Sequence, residues 1–527
     1  MSGSLERIGF VVGDASPTEF LFIVDEDRYP PRWEYVMVRS KEVIGGEEIE
    51  VDVVAQIDSI QSTSLALQRV MSLEAVEKIR DAGLVEPRVL AKARVLGFLH
   101  KGEIFQPRRA VYPGEDVYRA PTDLLKDFYS YPEDEGLFVG HLISRRDVEV
   151  RISVRGFRRH LAILAQTGAG KSYAAGVLIE ELLRRGATIV VIDPHADYVF
   201  LSRRKDGSKF SDRVSVFRTP ESTGRYDASQ VGRIDTYEIR FSDLSVEEIA
   251  TICGIREGYT NIMKSLREAI KELKELGEGY DLEDLLEKLE ERGDEHSLRA
   301  LNYVGRLSGM RVFGSATTDI ARLLKPKHVA VVDLSGLDDR VSDYIAFRIL
   351  SEVYEQRERG EYAYPVFVFV EEAHRFVPKE ASTFSKRIIK RIAAEGRKFG
   401  VFLVLITQRP CKIDPDALSQ CNSQMVMRMT NPEDQNAVRS SSERMSESLL
   451  NDLPGLNVGE AVIVGEVTRA PVMVKIRRRE TEEGGADIDV VEMLREALRE
   501  AEEEERVKDE IIRKEIEEIR SIVEGFE

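Results

Sequence analysis

Apolar positions follow three different rhythms along the chain. Up to about residue 150 they come in short runs rich in β-branched and aromatic residues: Arg7–Val12, Phe20–Val24, Tyr35–Arg39, Ile49–Ile57 and Ala93–Leu99. Gly, Pro or Asp clusters separate several of them, which predicts a small barrel or sandwich over 1–150. A helix over about Leu65–Ala82 interrupts the series, and Gly83 stands where it would stop. Val111–Gly114 reads as a turn near the end of this unit. From about Val150 the runs become continuous: Leu161–Ala165, Ala187–Asp193, Val329–Asp333, Val366–Val370 and Val401–Ile406. Continuous runs suit strands covered by helices on both faces, so 151–480 is expected to be an α/β domain.

Between Ser242 and Lys325 the strand rhythm stops. Ser245 with Glu248 makes a capping box, and Ile262, Leu266, Ile270 and Leu273 share one helical face. Leu285, Leu286 and Leu289 follow in a helix opened by Asp281. This predicts a helical bundle, 243–325, inserted into the α/β domain. The third rhythm is helical again, over Asp487–Phe526, with Val491, Leu494, Leu498, Val507, Ile511, Ile516, Ile519 and Ile522 as its apolar positions. Such a helix either packs on its own subunit or reaches a neighbour; the pattern serves both.

Composition bounds the function. The chain has 527 residues, with 76 Lys+Arg against 94 Asp+Glu and a net charge of −18. At roughly 100–200 residues each, three or four domains are expected. Hydrophobic residues at 42% and charged ones at 32% exclude a disordered chain. Taken alone, −18 opposes a nucleic-acid partner. The charge is unevenly placed, however: residues 481–527 hold 18 acidic and 7 basic side chains, leaving the rest at −7. Cys253, Cys411 and Cys421 form no CxxC pair. This excludes a disulfide framework and an all-cysteine zinc site, and it fits a reducing cytoplasm. No apolar run reaches the roughly 18 residues of a membrane span, and the first ten residues lack a signal peptide's apolar stretch.

The strongest chemical signal is Ala165–Ser172, AQTGAGKS, between a buried strand and a helix. It is a phosphate-binding loop with Ala where the strict pattern has Gly. Amides of Gln166, Thr167, Gly168, Ala169 and Gly170 would cradle the phosphates of ATP. Lys171 would reach the β/γ-phosphates, Ser172 would hold Mg²⁺, and Tyr173 would follow at the helix start. Partner groups belong at strand ends of the same sheet. Val366–Val370 ends in Glu371 and Glu372, then His374. Glu371 is read as orienting Mg²⁺ through water and Glu372 as polarising the attacking water. The pair is the firm element, rather than the division of labour within it. Asp193 and His195 close the second strand, and Gln408 closes the strand Val401–Ile406, placed to sense the γ-phosphate or position water. Arg397, just before that strand, either stabilises transition-state charge from a neighbouring subunit or pairs with an acid such as Glu395. Arg159, before the first core strand, is a candidate of the same kind.

These residues resemble the HerA family of hexameric DNA translocases, within the FtsK/HerA branch of P-loop ATPases. The resemblance is carried by Gln166–Ser172, Asp193–His195, Glu371–His374, Glu395–Arg397, Thr407–Pro410 and Leu453–Ala461, and it spans nearly the whole chain. The family commonly continues its Asp-Pro-His motif with Gly-Glu, where this chain has Ala196 and Asp197. The resemblance implies a RecA-like ATPase core with a β-rich N-terminal barrel. It also implies a homohexamer with ATP between subunits, Arg397 acting in trans, and a C-terminal helical brace over 481–527. A NurA-type nuclease partner in archaeal DNA end resection is implied in the same way.

A translocase needs cations facing its DNA. Residues 379–398 hold seven basic side chains against two acids. Lys379, Lys386 and Arg387 are expected to line a channel, with contacts mainly to the DNA backbone because few aromatics intervene. The same core would also suit a conjugation-type coupling ATPase, which usually carries a membrane anchor, or a pump of protein substrates.

Overall fold

The computed structural model describes residues 5–24, 29–67, 70–256, 258–277, 279–310, 312–484 and 490–524. They form two compact units, divided after Glu483.

The first unit begins with β1 (Arg7–Ala15), β2 (Glu19–Val24), β3 (Tyr35–Ile44), β4 (Glu47–Ser64), β5 (Pro87–His100), β6 (Glu103–Phe105) and β7 (Asp116–Arg119). Their order is β2-β1-β7-β3-β4-β5, and β2 pairs back onto β5, so six strands close into a barrel. β6 only extends β5. The alternating apolar residues turn inward, among them Ile8, Phe20, Phe22, Val36, Val38, Val53, Ala91 and Ala93. The 18-residue β4 pairs with β3 from Glu47 to Gln56 and with β5 from Val53 to Ser64. Irregularities between Val54 and Ala55 and between Ile57 and Ser59 bend it from one partner to the other. The helix expected over 65–82 spans Leu73–Asp81, because Ser72 caps it by accepting from the Ala75 amide. Residues 68 and 69 of that expectation lie outside the described residues.

The boundary expected at 150 falls too late. β8 (Gly136–Leu142) and β9 (Glu149–Ser153) pair with each other and, through β8, with β21 (Val472–Ile476) of a second sheet. That 12-stranded sheet also contains β10 (Leu161–Leu164), β11 (Thr188–Asp193), β12 (Val214–Arg218), β13 (Arg233–Thr236), β16 (His328–Asp333), β17 (Val366–Val370), β18 (Val401–Thr407), β19 (Ser423–Met427) and β20 (Glu460–Val464). Its order is β13-β12-β16-β11-β17-β18-β10-β19-β20-β21-β8-β9. From β13 to β19 neighbours run parallel; from β19 onward they run antiparallel. Successive residues of β10 feed opposite cores. Ala162 and Leu164 join one face, and Leu161 and Ile163 the other.

The insertion consists of helices Val246–Cys253, Thr260–Leu276, Leu282–Arg292 and Glu295–Val304. Ser245 and Asp281 both make reciprocal capping boxes, with Glu248 and Asp284. Its ends meet in a short parallel pair, β14 (Ile239–Arg240) with β15 (Phe313–Gly314), a strand signal too brief to show in the sequence. Ile262, Leu266, Ile270, Leu285 and Leu289 bury into the same core as one face of the sheet. The second unit contains the helix Val490–Glu524. Asp487, Phe526 and the side chains of Ile519 and Ile522 lie outside the description. Among the described residues no helix is long and apolar enough to cross a membrane.

Candidate active site

Parallel strands deliver the loop. β10 lies between β18 and β19. Beyond its end, the Ala165 amide donates to Thr407 O at 3.2 Å and the Gln166 amide to Arg428 O at 3.0 Å. Gly168 and Gly170 have φ of 74° and 102°, a region that side chains with Cβ rarely adopt. Gly170 caps the helix Lys171–Arg184, and among the described residues no side-chain hydrogen bond caps its first amides. A helix N-terminus in that condition is an anion site. The Gln166 side chain is spent locally, accepting from the Thr430 amide and hydroxyl at 3.2 and 3.0 Å.

Lys171 meets both acids. Its ammonium hydrogen-bonds Glu371 and lies 2.9 Å from Glu372 Oε1. Burial opposes the charged ammonium, but the two carboxylates outweigh it and hold the Lys171 pKa above its ordinary value. Glu371 is fully buried, and the Tyr198 hydroxyl donates to its Oε2 at 2.6 Å. Burial pushes its carboxyl up, with Lys171 and Tyr198 working the other way. Glu372 has φ 47°, a strained left-handed conformation for a side chain of its size. It places Oε2 3.2 Å from His374 Nδ1. Burial works against its charge, but His374 and Lys171 prevail and bring its pKa down to about 2. The two neighbouring acids therefore sit in different environments: Glu371 is held by a phenol and an ammonium, Glu372 by an imidazole and the same ammonium.

The Asp193 loop is a scaffold rather than a ligand surface. Asp193 accepts from the amides of His195, Asp197 and Tyr198 at 3.3, 3.1 and 2.9 Å. The His195 side chain is exposed. Asp197, which departs from the family pattern, joins the site: Ser172 Oγ donates to its Oδ2 at 2.9 Å. Tyr173 turns aside; its hydroxyl accepts from the Arg479 amide at 2.6 Å. Gln408 meets the phosphate loop. Thr167 Oγ1 donates to Gln408 Oε1 at 2.6 Å, tying the phosphate loop to the end of β18. Thr407 bridges inward, 3.0 Å from His374 Nδ1.

Arg159 and Arg397 come together elsewhere. Arg159 precedes β10 and Arg397 precedes β18, two adjacent parallel strands whose opposite ends carry the phosphate loop and Gln408. Both arginines line a cleft of about 550 Å³ with Arg155, Arg158 and Lys398. None of the phosphate-loop residues or the acid pair lines it. Arg397 is exposed and, among the described residues, has no partner at Glu395; that acid is engaged by Tyr354 at 3.2 Å. Between the two arginines, buried His160 accepts from the Leu403 amide at 3.0 Å and contacts Ala393 O at 3.0 Å. Sequence reasoning missed Arg155, Arg158, His160 and Lys398. Arg155, Arg158 and His160 show locally only as the basic run beside Arg159, and Lys398 only as one of the seven basic residues of 379–398.

The expected channel set separates. Lys379 and Arg387 are exposed. Lys386 is not available to line a channel. Its ammonium donates to Pro378 O at 2.7 Å and to Lys379 O and Ala381 O at 3.3 Å, and it pairs with Asp414 at 3.3 Å. Four oxygens satisfy it where it stands, so it closes a loop instead.

Residues 137–353 match the family described as "Helicase HerA, central domain", and 261–480 match "Helicase HerA-like C-terminal". The chain is 32% identical to the DNA double-strand break repair helicase HerA of Pyrococcus furiosus, over 89% of this chain and 92% of that one. It is 30% identical to the protein of the same name from Sulfurisphaera tokodaii, over 94% and 98%. Among solved structures, VirB4 of Thermoanaerobacter pseudethanolicus aligns with a TM-score of 0.49 at 17% identity, covering 66% of this chain and 98% of that one. Carrying the phosphate loop, the acid pair and sequence similarity over nearly their full lengths, the chain belongs to the HerA helicase family.

Proposed function

We propose that this chain is an ATP-driven DNA translocase that works as a homohexameric ring in double-strand break repair. One observation carries the shared-site reading. The arginine cleft lies at the start of β10 and β18, whereas the phosphate loop and Gln408 lie at their ends. A single chain keeps these groups apart, so Arg397, with Arg159 beside it, serves the nucleotide of an adjacent copy.

In this reading Lys171 and the loop amides hold the triphosphate. Ser172, Asp197 and Glu371 form a small all-oxygen donor set, which suits Mg²⁺ because that ion keeps several waters and takes few protein ligands. Bound there, the ion would neutralise charge on the β- and γ-phosphates. Glu372 accepts a proton from the attacking water as the oxygen bonds to γ-phosphorus and the bridging bond to ADP breaks. Gln408 orients the same water, and the trans guanidinium stabilises the charge that spreads over the γ-oxygens. Lys379 and Arg387 contact the DNA backbone. The repair role is supported by the relatives' names, and the resemblance adds a NurA-type nuclease docked on the barrels.

ATP hydrolysis with and without linear duplex DNA tests the reading; absence of DNA stimulation favours a pump of protein substrates. Glu372→Gln should bind ATP and lose turnover. Mixing Arg397→Ala with Lys171→Ala subunits should restore some activity, because intact sites then form between unlike copies. No recovery at any ratio removes the trans role.

A further inference from the structure

The segment leaving β21 runs back along the phosphate-loop helix. Glu180 of that helix is fully buried and accepts from the amides of Glu480 and Thr481 at 2.9 and 2.8 Å and from Thr481 Oγ1 at 2.8 Å. It also pairs with Arg477 at 2.9 Å. Burying a carboxylate is unfavourable unless such partners compensate it. All of these partners belong to Arg477–Thr481, so this strap is anchored to the helix.

The anchor seats Arg479. Its side chain is 2% exposed, with Nε donating to Thr481 Oγ1 at 2.9 Å and Nη2 to Glu482 O at 3.0 Å. Its guanidinium lies 5.9 Å from the centre of the Tyr198 ring. Gly176 makes the room: a Cβ there would come within 2.5 Å of Arg479 Nε. Glycine inside a helix costs about 1 kcal/mol relative to alanine, so its presence here has a packing reason. Tyr198 is fully buried, tethered through its amide to Asp193 Oδ2 at 2.9 Å, and its hydroxyl donates to Glu371.

We propose that Tyr198 is the positioning residue of Glu371, and that Arg479, seated against Gly176, keeps Tyr198 in place. The strap Arg477–Glu483 thereby sets the orientation of the acid. This rests on the reading of Glu371 as the acid that orients the metal's water. A Lys171 drawn toward phosphate loosens its hold on Glu371 and leaves the phenol as the fixed donor. A hydrogen bond to a charged acceptor is strong enough for that task.

Tyr198→Phe keeps the ring beside Arg479 and removes only the donor. DNA-stimulated kcat should fall about tenfold or more, the scale of one hydrogen bond to a charged group. KM for ATP should stay within about twofold. Binding of a fluorescent ADP analogue, measured without turnover, should lose part of its Mg²⁺-dependent gain while its Mg²⁺-free affinity holds. Gly176→Ala reaches the same acid by another route. It displaces the buried guanidinium, so kcat should fall while Mg²⁺-free binding of the ADP analogue holds, with Tm lowered by the lost packing. Wild-type kcat and Mg²⁺ dependence in Tyr198→Phe overturn the proposal. So does a fall in Tm accompanied by equal losses in every constant, which marks a structural role. A wild-type chain that hydrolyses no ATP overturns the reading of the site itself, and the proposal with it.

Discussion

The helix Phe384–Phe399 is basic near both ends, yet the two ends do opposite work. Near its start, Lys386 is held by three carbonyls and Asp414, and Lys390 pairs with Asp414 and Asp416. At its finish, Arg397 and Lys398 have no ion-pair partner among the described residues and face a cleft with Arg155, Arg158 and Arg159. The first set is charge spent on folding; the second is charge kept free for a ligand. A count of basic residues cannot separate them. The acids packed against each end can, because a cation already surrounded by oxygen gains little by meeting a phosphate.

Substitutions at the two ends should therefore diverge. Arg397→Ala should lower turnover by about a thousandfold, the scale of a lost arginine finger, with ATP binding and Tm intact. Steady-state kinetics beside a melting curve measures both, and a large loss of Tm would place Arg397 with the structural set. Lys386→Met should do the reverse. It should destabilise the fold by about 1 kcal/mol in denaturant titration, through the part-buried Pro378 carbonyl and the Asp414 carboxylate that lose its ammonium, and change turnover in the folded fraction little. His160 pins the middle of this helix to β18. Burial lowers its pKa to about 4 from an ordinary 6.5. The unfolded chain then takes up the proton first, so stability is full above pH 6.5 and declines as pH falls toward 4. Between pH 6.5 and 4.5 the loss should be about 2 kcal/mol, and His160→Gln should flatten that part of the profile. Arg387→Glu should weaken DNA stimulation a few-fold and reduce the salt slope of DNA binding by about one. Lys390→Met, which removes a half-exposed ammonium from Asp414 and Asp416, should leave the denaturant midpoint nearly unchanged.

What the sequence disclosed and what it hid follow the same division. The phosphate loop, the acid pair and Gln408 were legible because each is a local spacing at the end of one strand. The capping box at Ser245 and the helix start at Asp281 were legible too, as local spacings. The arginine cleft was not, because Arg159 and Arg397 meet only through the pairing of β10 with β18. Lys386 was misplaced because Asp414, the acid that claims it, lies beyond the next strand in the chain. Strands β12, β13, β19 and β21 went unread because Ser215, Asp235, Gln424 and Lys475 interrupt their short apolar runs. β8 fell inside the expected unit 1–150 because nothing local marks which sheet an antiparallel strand joins. Glu180 and Arg479 would have counted as ordinary surface charges, and only their burial shows otherwise.

The closure of the barrel through β2 and β5 has a consequence for crowding. A closed sheet offers few free rows of amides and carbonyls, and among the described residues they lie beyond the closed wall, at the three-residue β6 and along Arg39–Ile44 of β3, which pairs with β7 only over Val36–Val38. The closed walls of such barrels cannot be extended by adding strands. Whatever binds them has to recognise side chains, and a surface read that way can change its partner by point substitution while its backbone stays as it is.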